Sequence, residues 1–116
     1  MWRIEIPRLL PTFNDILAMG HWKRRNTKQE ICGEVWVALK EAKVKKPLHK
    51  PIVLTVAQFY TKRMRDTDSA SFAVKAFLDT LVANGYLEDD NPEYVANIIY
   101  QPPERGTVDK TVFLIQ

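Results

Sequence analysis

Four aspartates and one lysine in the middle of this sequence have the types and spacing that divalent-metal chemistry uses. Asp66 and Asp68 are two residues apart, Lys75 follows, and a second acidic pair, Asp89 and Asp90, comes later. Two aspartates at this spacing in extended chain point to the same side, with their carboxylates roughly 6–7 Å apart. If Asp90 folds back towards them, carboxylates about 5 Å apart repel by about 3 kcal/mol per pair at an effective dielectric of 20.

A carboxylate cluster of this kind needs either raised pKa values or a bound cation. Mg²⁺ takes one or two protein carboxylates and completes its shell with water and substrate phosphate. That ligand set is typical of metal-dependent phosphodiester cleavage. The alternative is that the acids are solvated turn and loop residues, as they are in most proteins with an isolated D-x-D.

The motif extends beyond the acids to an arginine before the D-x-D, a K-x-x-x-D-x-L and a D-D. It consists of Arg65, Asp66, Asp68, Lys75, Asp79, Leu81, Asp89 and Asp90. With Phe59-Tyr60 upstream and Pro11 to Asn14 near the start, this pattern resembles the RusA family of Holliday-junction resolvases. The sequence departs from the family at Ser69, where the family usually has asparagine, and in a longer gap between Asp68 and Lys75.

The resemblance implies a Mg²⁺-dependent endonuclease that resolves four-way DNA junctions in recombination and repair. It implies that Asp66, Asp68 and Asp90 hold one or two Mg²⁺, with Asp89 as a candidate supporting ligand. Lys75 would neutralise developing negative charge or orient the attacking water. Because a four-way junction is two-fold symmetric and needs paired nicks, a homodimer is also implied.

The charges are divided along the chain. Residues 21–65 carry twelve Lys/Arg and three Glu, a net charge of +9, whereas residues 66–109 carry nine acids and two bases, a net charge of −7. A basic block next to an acidic block fits a protein that grips a polyanion and binds metal. The candidate DNA contacts are Lys23, Arg24, Arg25, Lys28, Lys62, Arg63 and Arg65. Trp22 could stack on an unpaired base, or the segment could be a solvated loop with Trp22 in the core.

Apolar periodicity predicts the elements that must position these residues. Trp2 to Ile6 alternates, which predicts a half-exposed strand. A loop is expected over residues 14–26, with Asn14 near its start. The resemblance places an asparagine here close to the active site, and the alternative is a simple turn former.

A helix is expected from Thr27 to about Lys43, because Thr27 and Glu30 have the spacing of a capping box. Its single cysteine, Cys32, is expected to be a buried or partly buried structural thiol, and a lone cysteine suits a reducing cytoplasm. Trp36 lies off the apolar stripe, so we expect it to contact a second subunit or a loop.

The second half of the chain predicts one more helix and three strands. The helix covers Val74 to Val82, capped by Ser69 or Ser71 and ended by Gly85. The strands are Pro51–Tyr60, which is apolar on both faces and therefore central, Val95–Tyr100 and Thr111–Ile115. We therefore predict an α+β fold in one domain, residues 1–116: a mixed β-sheet of about four strands and two main helices in the order β-α-β-α-β-β, with the helices mainly against one face.

Several other classes fit the sequence less well. No apolar run is long enough for a membrane span, and Met1 to Pro7 has charges where a signal peptide is apolar. An EF-hand counted from Asp66 fails, because Ser71 and Phe77 stand where the calcium loop needs Gly and Glu. The remaining rival is a non-catalytic DNA-binding protein derived from the same family, which the basic residues alone would support.

Overall fold

The structure, a computed structural model, describes residues 1–116 and contains five strands and three helices. In chain order they are β1 (Trp2–Ile6), α1 (Phe13–Leu17), α2 (His21–Glu41), β2 (Ile52–Tyr60), α3 (Ser71–Ala83), β3 (Val95–Tyr100), β4 (Glu104–Arg105) and β5 (Lys110–Ile115). The predicted α+β fold and its order of main elements are confirmed, and α1 and the two-residue β4 are added to them.

The sheet is mixed, with strand order β1-β5-β2-β3, and β4 pairs with β2 beyond the end of β3. β5 runs antiparallel to both β1 and β2, whereas β3 and β4 run parallel to β2. Parallel neighbours need a crossover connection, and α3 supplies it between β2 and β3. The carboxyl ends of β2 and β3 therefore point in the same direction.

One face of the sheet carries the hydrophobic core. Ile4, Phe113 and Val56 are register partners across three strands, so their side chains share this face, and all three are buried. The ring of Phe77 in α3 stacks on Phe113 with ring centroids 4.2 Å apart. Buried residues of α2, such as Leu39, belong to the same core cluster. The helices thus cover this face, as the sequence predicted.

The prediction of a loop over residues 14–26 was wrong. Thr12 caps α1 through a capping box, in which its hydroxyl accepts from the Asp15 N–H and the Asp15 carboxylate accepts from the Thr12 N–H. α2 then begins at His21, directly after Gly20. Thr27 lies inside α2, so the predicted capping box at Thr27 does not form.

The two ends of α3 had different outcomes. Gly85 has φ 79°, and the N–H groups of Gly85 and Tyr86 donate to Val82 and Leu81, which is a Schellman motif that ends the helix as predicted. At the start, the N-cap is Ala70, and no side chain caps it. The predicted cap by Ser69 or Ser71 was therefore wrong.

None of the helices combines the length and the apolar character needed to cross a membrane.

Candidate metal and nucleic-acid site

Asp66 and Asp68 lie in the chain segment that leaves the carboxyl end of β2 and enters α3. The expected extended geometry does not form at Asp68, because the N–H of Ser69 donates to the Asp66 carbonyl at 3.1 Å and that of Ser71 to the Asp68 carbonyl at 3.2 Å. These bonds fold residues 66–71 into a turn that leads into α3. Both aspartates are exposed.

The two carboxylates line a cavity of about 750 Å³, which we call the carboxylate cleft. Its walls come from the segment before α1, from α1 itself and from the segments that follow β2 and precede β5. The lining residues are Leu9, Thr12, Phe13, Asn14, Asp15, Tyr60, Lys62, Arg63, Met64, Arg65, Asp66, Asp68, Ser69, Ser71 and Asp109. The cleft therefore joins the D-x-D to Asn14, which the resemblance also placed near the site.

A buried polar network lies under the D-x-D turn. Gln58, in β2, donates from its side-chain amide to the Ser69 hydroxyl at 3.0 Å, and both side chains are buried. The Arg65 guanidinium donates to the Gln58 side-chain oxygen at 3.3 Å and to the backbone carbonyl of Leu10. Ser69 therefore serves the base of the turn and is not a helix cap, because the buried amide of Gln58 takes its hydroxyl.

α1 is attached to the same turn. The N–H of Phe13 donates to the carbonyl of Ser69 at 3.2 Å, which ties the first turn of α1 to the D-x-D segment. Asn14 is the second residue of α1 and is exposed at the cleft. Hydrogen bonds from Thr12, above all from its backbone N–H, lower the pKa of Asp15, so this third cleft carboxylate is already engaged in capping.

Asp66 and Asp68 differ from the other cleft acids because they have no partner in the chain. Neither carboxylate takes part in an ion pair or accepts a hydrogen bond. Asp109, in contrast, accepts from the Thr61 N–H at 2.8 Å and from its hydroxyl at 2.9 Å. The D-x-D therefore presents two free carboxylates to the cleft.

Asp90 is placed in a different set of contacts. Lys75 Nζ lies 2.9 Å from Asp90 Oδ2 and 3.1 Å from Asp79 Oδ1, and Lys28 Nζ lies 2.6 Å from Asp79 Oδ2. The four side chains form a row of alternating charges, and Asp90 is absent from the lining of the carboxylate cleft. Hydrogen bonds to Asp90 and then to Asp79 raise the pKa of Lys75, and the bond from Lys75 lowers the pKa of Asp90.

The remaining acid of the motif, Asp89, is engaged locally. Its carboxylate accepts from the Asp90 N–H at 2.7 Å and from the Asn91 side chain at 3.1 Å. No group of three or more His, Cys, Asp or Glu side chains is arranged to hold a metal ion. The expected Asp66, Asp68 and Asp90 set is therefore not assembled. Asp66 and Asp68 alone match the one or two carboxylates that Mg²⁺ takes.

The candidate DNA contacts fall into free and engaged groups. Lys62 and Arg63 are exposed at the cleft and form no ion pair. Arg65 points inward to Leu10 and Gln58, and burial lowers its pKa, although an arginine so shifted stays charged at neutral pH. The engaged arginine therefore supports the turn, and the two free cations flank the carboxylates.

The basic segment at the start of α2 divides in the same way. Arg24 donates to the carbonyls of Ile16 at 3.1 Å and Met19 at 3.2 Å, so its charge lies at the carboxyl end of α1. Lys23 and Arg25 are exposed and form no ion pair, and the Arg25 guanidinium lies 6.0 Å from the centre of the Trp22 ring. The side chain of Trp22 is 70% exposed, so the alternative that placed Trp22 in the core was wrong.

Two residues of the site were missed in the sequence. Gln58 stands in a mainly apolar central strand, and a long polar side chain at such a position is a signal that it serves a buried network. Tyr100 ends β3 and pairs with Val56, four residues before the end of β2. Burial raises the pKa of Tyr100, and the nearby negative charge of Asp68 raises it further. The parallel pairing of β2 and β3 points the carboxyl ends of both strands in the same direction. That direction was the signal that Tyr100 lies on the side of the sheet where the D-x-D segment begins.

Comparison of the chain with models of known protein families and with curated proteins found no match. The case for a function therefore depends on the residues of the chain and on their spacing.

Proposed function

We propose that this protein is a Mg²⁺-dependent endonuclease that cuts branched DNA, in the manner that its resemblance to RusA resolvases implies. The observation that carries the proposal is the pair of exposed, unpartnered carboxylates of Asp66 and Asp68 in a cleft that also presents the free cations Lys62 and Arg63. The cleft therefore holds two carboxylates and two cations, and none of these four charges is neutralised by a neighbouring side chain. Such a cleft suits a metal ion and a phosphate together.

Asp66 and Asp68 are the residues that would hold the metal. A bound Mg²⁺ supplies an activated water and stabilises the charge that develops on the scissile phosphate. Lys62 and Arg63, which line the same cleft, would attract the phosphodiester backbone to it. The buried network of Gln58 holds the backbone of the turn through Ser69 and Arg65.

Asp90 and Lys75 have a conditional role in this proposal. They neutralise each other at 2.9 Å, so Asp90 would serve as a third ligand, and Lys75 as a phosphate-facing cation, only if that ion pair opened and both side chains moved towards the cleft, whose lining does not include them. The pair is exposed, and exposed ion pairs contribute only about 0.2–1 kcal/mol. Binding of a metal and a phosphate could therefore offset the loss of the pair.

The proposed substrate is a four-way junction, and the proposed form is a homodimer in the cytoplasm. A two-fold junction needs two symmetric nicks, which two copies of one active site provide. The paired nicks would leave DNA ends that can be religated. These statements follow from the resemblance, to which Asp66, Asp68, Lys75 and Asp90 contribute most.

A second candidate function is DNA binding without cleavage. It is favoured by one observation, the capture of Asp90 by Lys75, which leaves the implied three-aspartate set incomplete. The free carboxylates of Asp66 and Asp68 argue against it, because they repel phosphate and serve no structural purpose in the chain.

Incubation with labelled DNA separates the two functions. The chain is mixed with a four-way junction or with a linear duplex of the same arms, with Mg²⁺ or with a chelator. The proposal expects paired nicks in the junction only, and only with Mg²⁺. Junction binding with no nicking under any of these conditions would establish the non-catalytic alternative.

A further inference from the structure

Two large apolar side chains line the carboxylate cleft and remain exposed. Phe13, the first residue of α1, is 49% exposed, and Met64, in the segment after β2, is 73% exposed. Single exposed apolar residues are common on protein surfaces and need no explanation. These two stand out because they share one mostly polar cavity with the free carboxylates of Asp66 and Asp68.

The backbone of Phe13 is attached to the D-x-D turn. Its N–H donates to the carbonyl of Ser69 at 3.2 Å, and the capping box of Thr12 and Asp15 surrounds it. The ring takes part in none of these bonds. Because Ser69 directly follows Asp68, the position of the ring is tied to that of the turn that carries the carboxylates.

Met64 directly follows the two free cations of the cleft, Lys62 and Arg63. Its other neighbour, Arg65, points inward. The segment therefore presents two cations and then one apolar side chain. Methionine is unbranched and polarisable, and it makes favourable contacts with aromatic rings, so this side chain can adapt to a flat ring held beside the cations.

A nucleotide combines the two kinds of group that this cleft can contact. Its phosphate is anionic, which suits Lys62 and Arg63, and its base has a flat face that can stack on the ring of Phe13. In a continuous duplex the faces of each base are covered by the neighbouring bases. A base that has left the stack exposes its face, and unstacking costs least where pairing is already interrupted.

We propose that Phe13 and Met64 bind the face of an unstacked base beside the branch point, and that this contact makes the protein select branched DNA over continuous duplex. The inference rests on the proposed function, because it takes DNA as the ligand of the cleft. Trp22 is more exposed than Phe13, but it does not line the cleft, and the Arg25 guanidinium lies 6.0 Å from the centre of its ring. The base contact is therefore assigned to Phe13.

Equilibrium binding in the presence of a chelator tests the proposal without cleavage. The ligands are a labelled four-way junction and a linear duplex of the same arms. Phe13→Ala should weaken binding to the junction by roughly 5- to 150-fold and leave binding to the duplex unchanged. Met64→Ala should have a smaller effect in the same direction. Leu17→Ala is the matched control and should change neither affinity, because Leu17 lies on the same helix and is 55% exposed but does not line the cleft.

Two further variants separate stacking from apolar packing. Phe13→Trp keeps an aromatic face and should bind the junction as tightly as the parent. Phe13→Leu keeps an apolar side chain without a flat ring and should lose most of the affinity that Phe13→Ala loses. Parent affinity in Phe13→Leu would overturn the stacking contact.

A junction with abasic nucleotides at the branch point identifies the group that Phe13 contacts. The parent and Phe13→Ala should bind this junction equally, because the substitution and the missing base remove the same contact. The proposal would be overturned if Phe13→Ala lost no affinity, or lost the same affinity for the junction, the duplex and the abasic junction. A selective loss in Trp22→Ala in place of Phe13→Ala would also overturn it.

Base contact and cleavage can fail independently. Selective junction binding that requires Phe13, with no nicking in Mg²⁺, would keep the base contact and remove the nuclease. Mg²⁺-dependent nicking by a protein whose junction affinity does not change in Phe13→Ala would keep the nuclease and remove the base contact.

Discussion

The Gln58 amide and the Ser69 hydroxyl, both buried, are joined by a 3.0 Å hydrogen bond directly beneath the turn that carries Asp66 and Asp68. The bond connects the central strand β2 to the D-x-D segment, and Arg65 adds a second contact to Gln58. A buried polar group that loses its partner is costly, and this bond therefore fixes the turn more strongly than an exposed one would.

Replacing Gln58 by Met should lower the free energy of unfolding by about 1–3 kcal/mol, because the Ser69 hydroxyl then lacks its buried partner. Ser69→Ala should cost a similar amount. The double variant should cost less than the sum of the two, since both remove one interaction. Urea denaturation of the three variants measures this coupling. Strictly additive costs would show that Gln58 and Ser69 do not share the bond.

Arg24 and Arg25 are adjacent in sequence but should behave differently. Arg24→Ala should lower the free energy of unfolding by about 1 kcal/mol, because the guanidinium satisfies carbonyls at the end of α1. Arg25→Ala should leave stability within about 0.5 kcal/mol of the parent, as is usual at exposed positions. Thermal melts of the two variants compare them, and equal losses would contradict the assignment of Arg24 to α1.

The Lys75–Asp90 ion pair should contribute stability over a defined pH range. The pKa of Asp90 is lowered in the folded chain and that of Lys75 is raised. The contribution of Asp90 is therefore present above its unfolded pKa of about 4 and is lost as pH falls through the lower folded value. The contribution of Lys75 is present below its unfolded pKa of about 10.4 and is lost as pH rises through the higher folded value.

Lys75→Ala should therefore reduce the free energy of unfolding by no more than about 1 kcal/mol at pH 7, because the lysine side chain is largely exposed. The difference should disappear in strong acid. Denaturant titrations at pH 7 and in strong acid measure this difference, and a difference that grows in acid would contradict the ion pair.

Under single-turnover conditions, Lys75→Ala should lose orders of magnitude in the rate of junction cleavage, whereas Asp79→Ala should cleave close to the parent rate. A near-parent rate for Lys75→Ala would remove Lys75 from the reaction.

DNA binding should depend steeply on salt. With roughly six to ten phosphate contacts, affinity should fall about 10³- to 10⁵-fold between 50 and 200 mM salt. Replacing Lys62 and Arg63 together by Ala should reduce the slope of log affinity against log salt by about 1.8, or about 0.9 per contact. Lys23→Ala with Arg25→Ala is the matched control, and a larger change in this control would move the main DNA surface from the cleft to α2.

The fold was largely predictable, because the apolar patterns of Trp2–Ile6, Pro51–Tyr60 and Val74–Val82 each allow one regular structure. The start of α2 was not, because two segments have the spacing of a capping box. Thr12 with Asp15 forms the real one and begins α1, whereas Thr27 with Glu30 lies inside α2. Spacing alone does not show which of the two segments stands at the start of a helix, where backbone N–H groups lack partners.

The site was predictable in part for a related reason. Spacing placed Asp66 and Asp68 together at the end of β2, because chain neighbours cannot separate far. It could not show which partner Asp90 takes, since that depends on how the segment after α3 returns past Lys75. Asp90 contacts Lys75 because of the tertiary packing. The motif alone is equally consistent with Asp90 beside Lys75 and with Asp90 beside the D-x-D.

The most direct test of the central proposal is single-turnover cleavage of a labelled four-way junction by Asp66→Asn and Asp68→Asn with Mg²⁺. The matched control is Asp109→Asn, in the same cleft, whose side-chain oxygen can still accept the hydrogen bonds of Thr61. Both D-x-D variants should bind the junction at least as tightly as the parent and should not cleave it, while Asp109→Asn should cleave near the parent rate. Cleavage by either D-x-D variant close to the parent rate would contradict the assignment of these carboxylates to the metal.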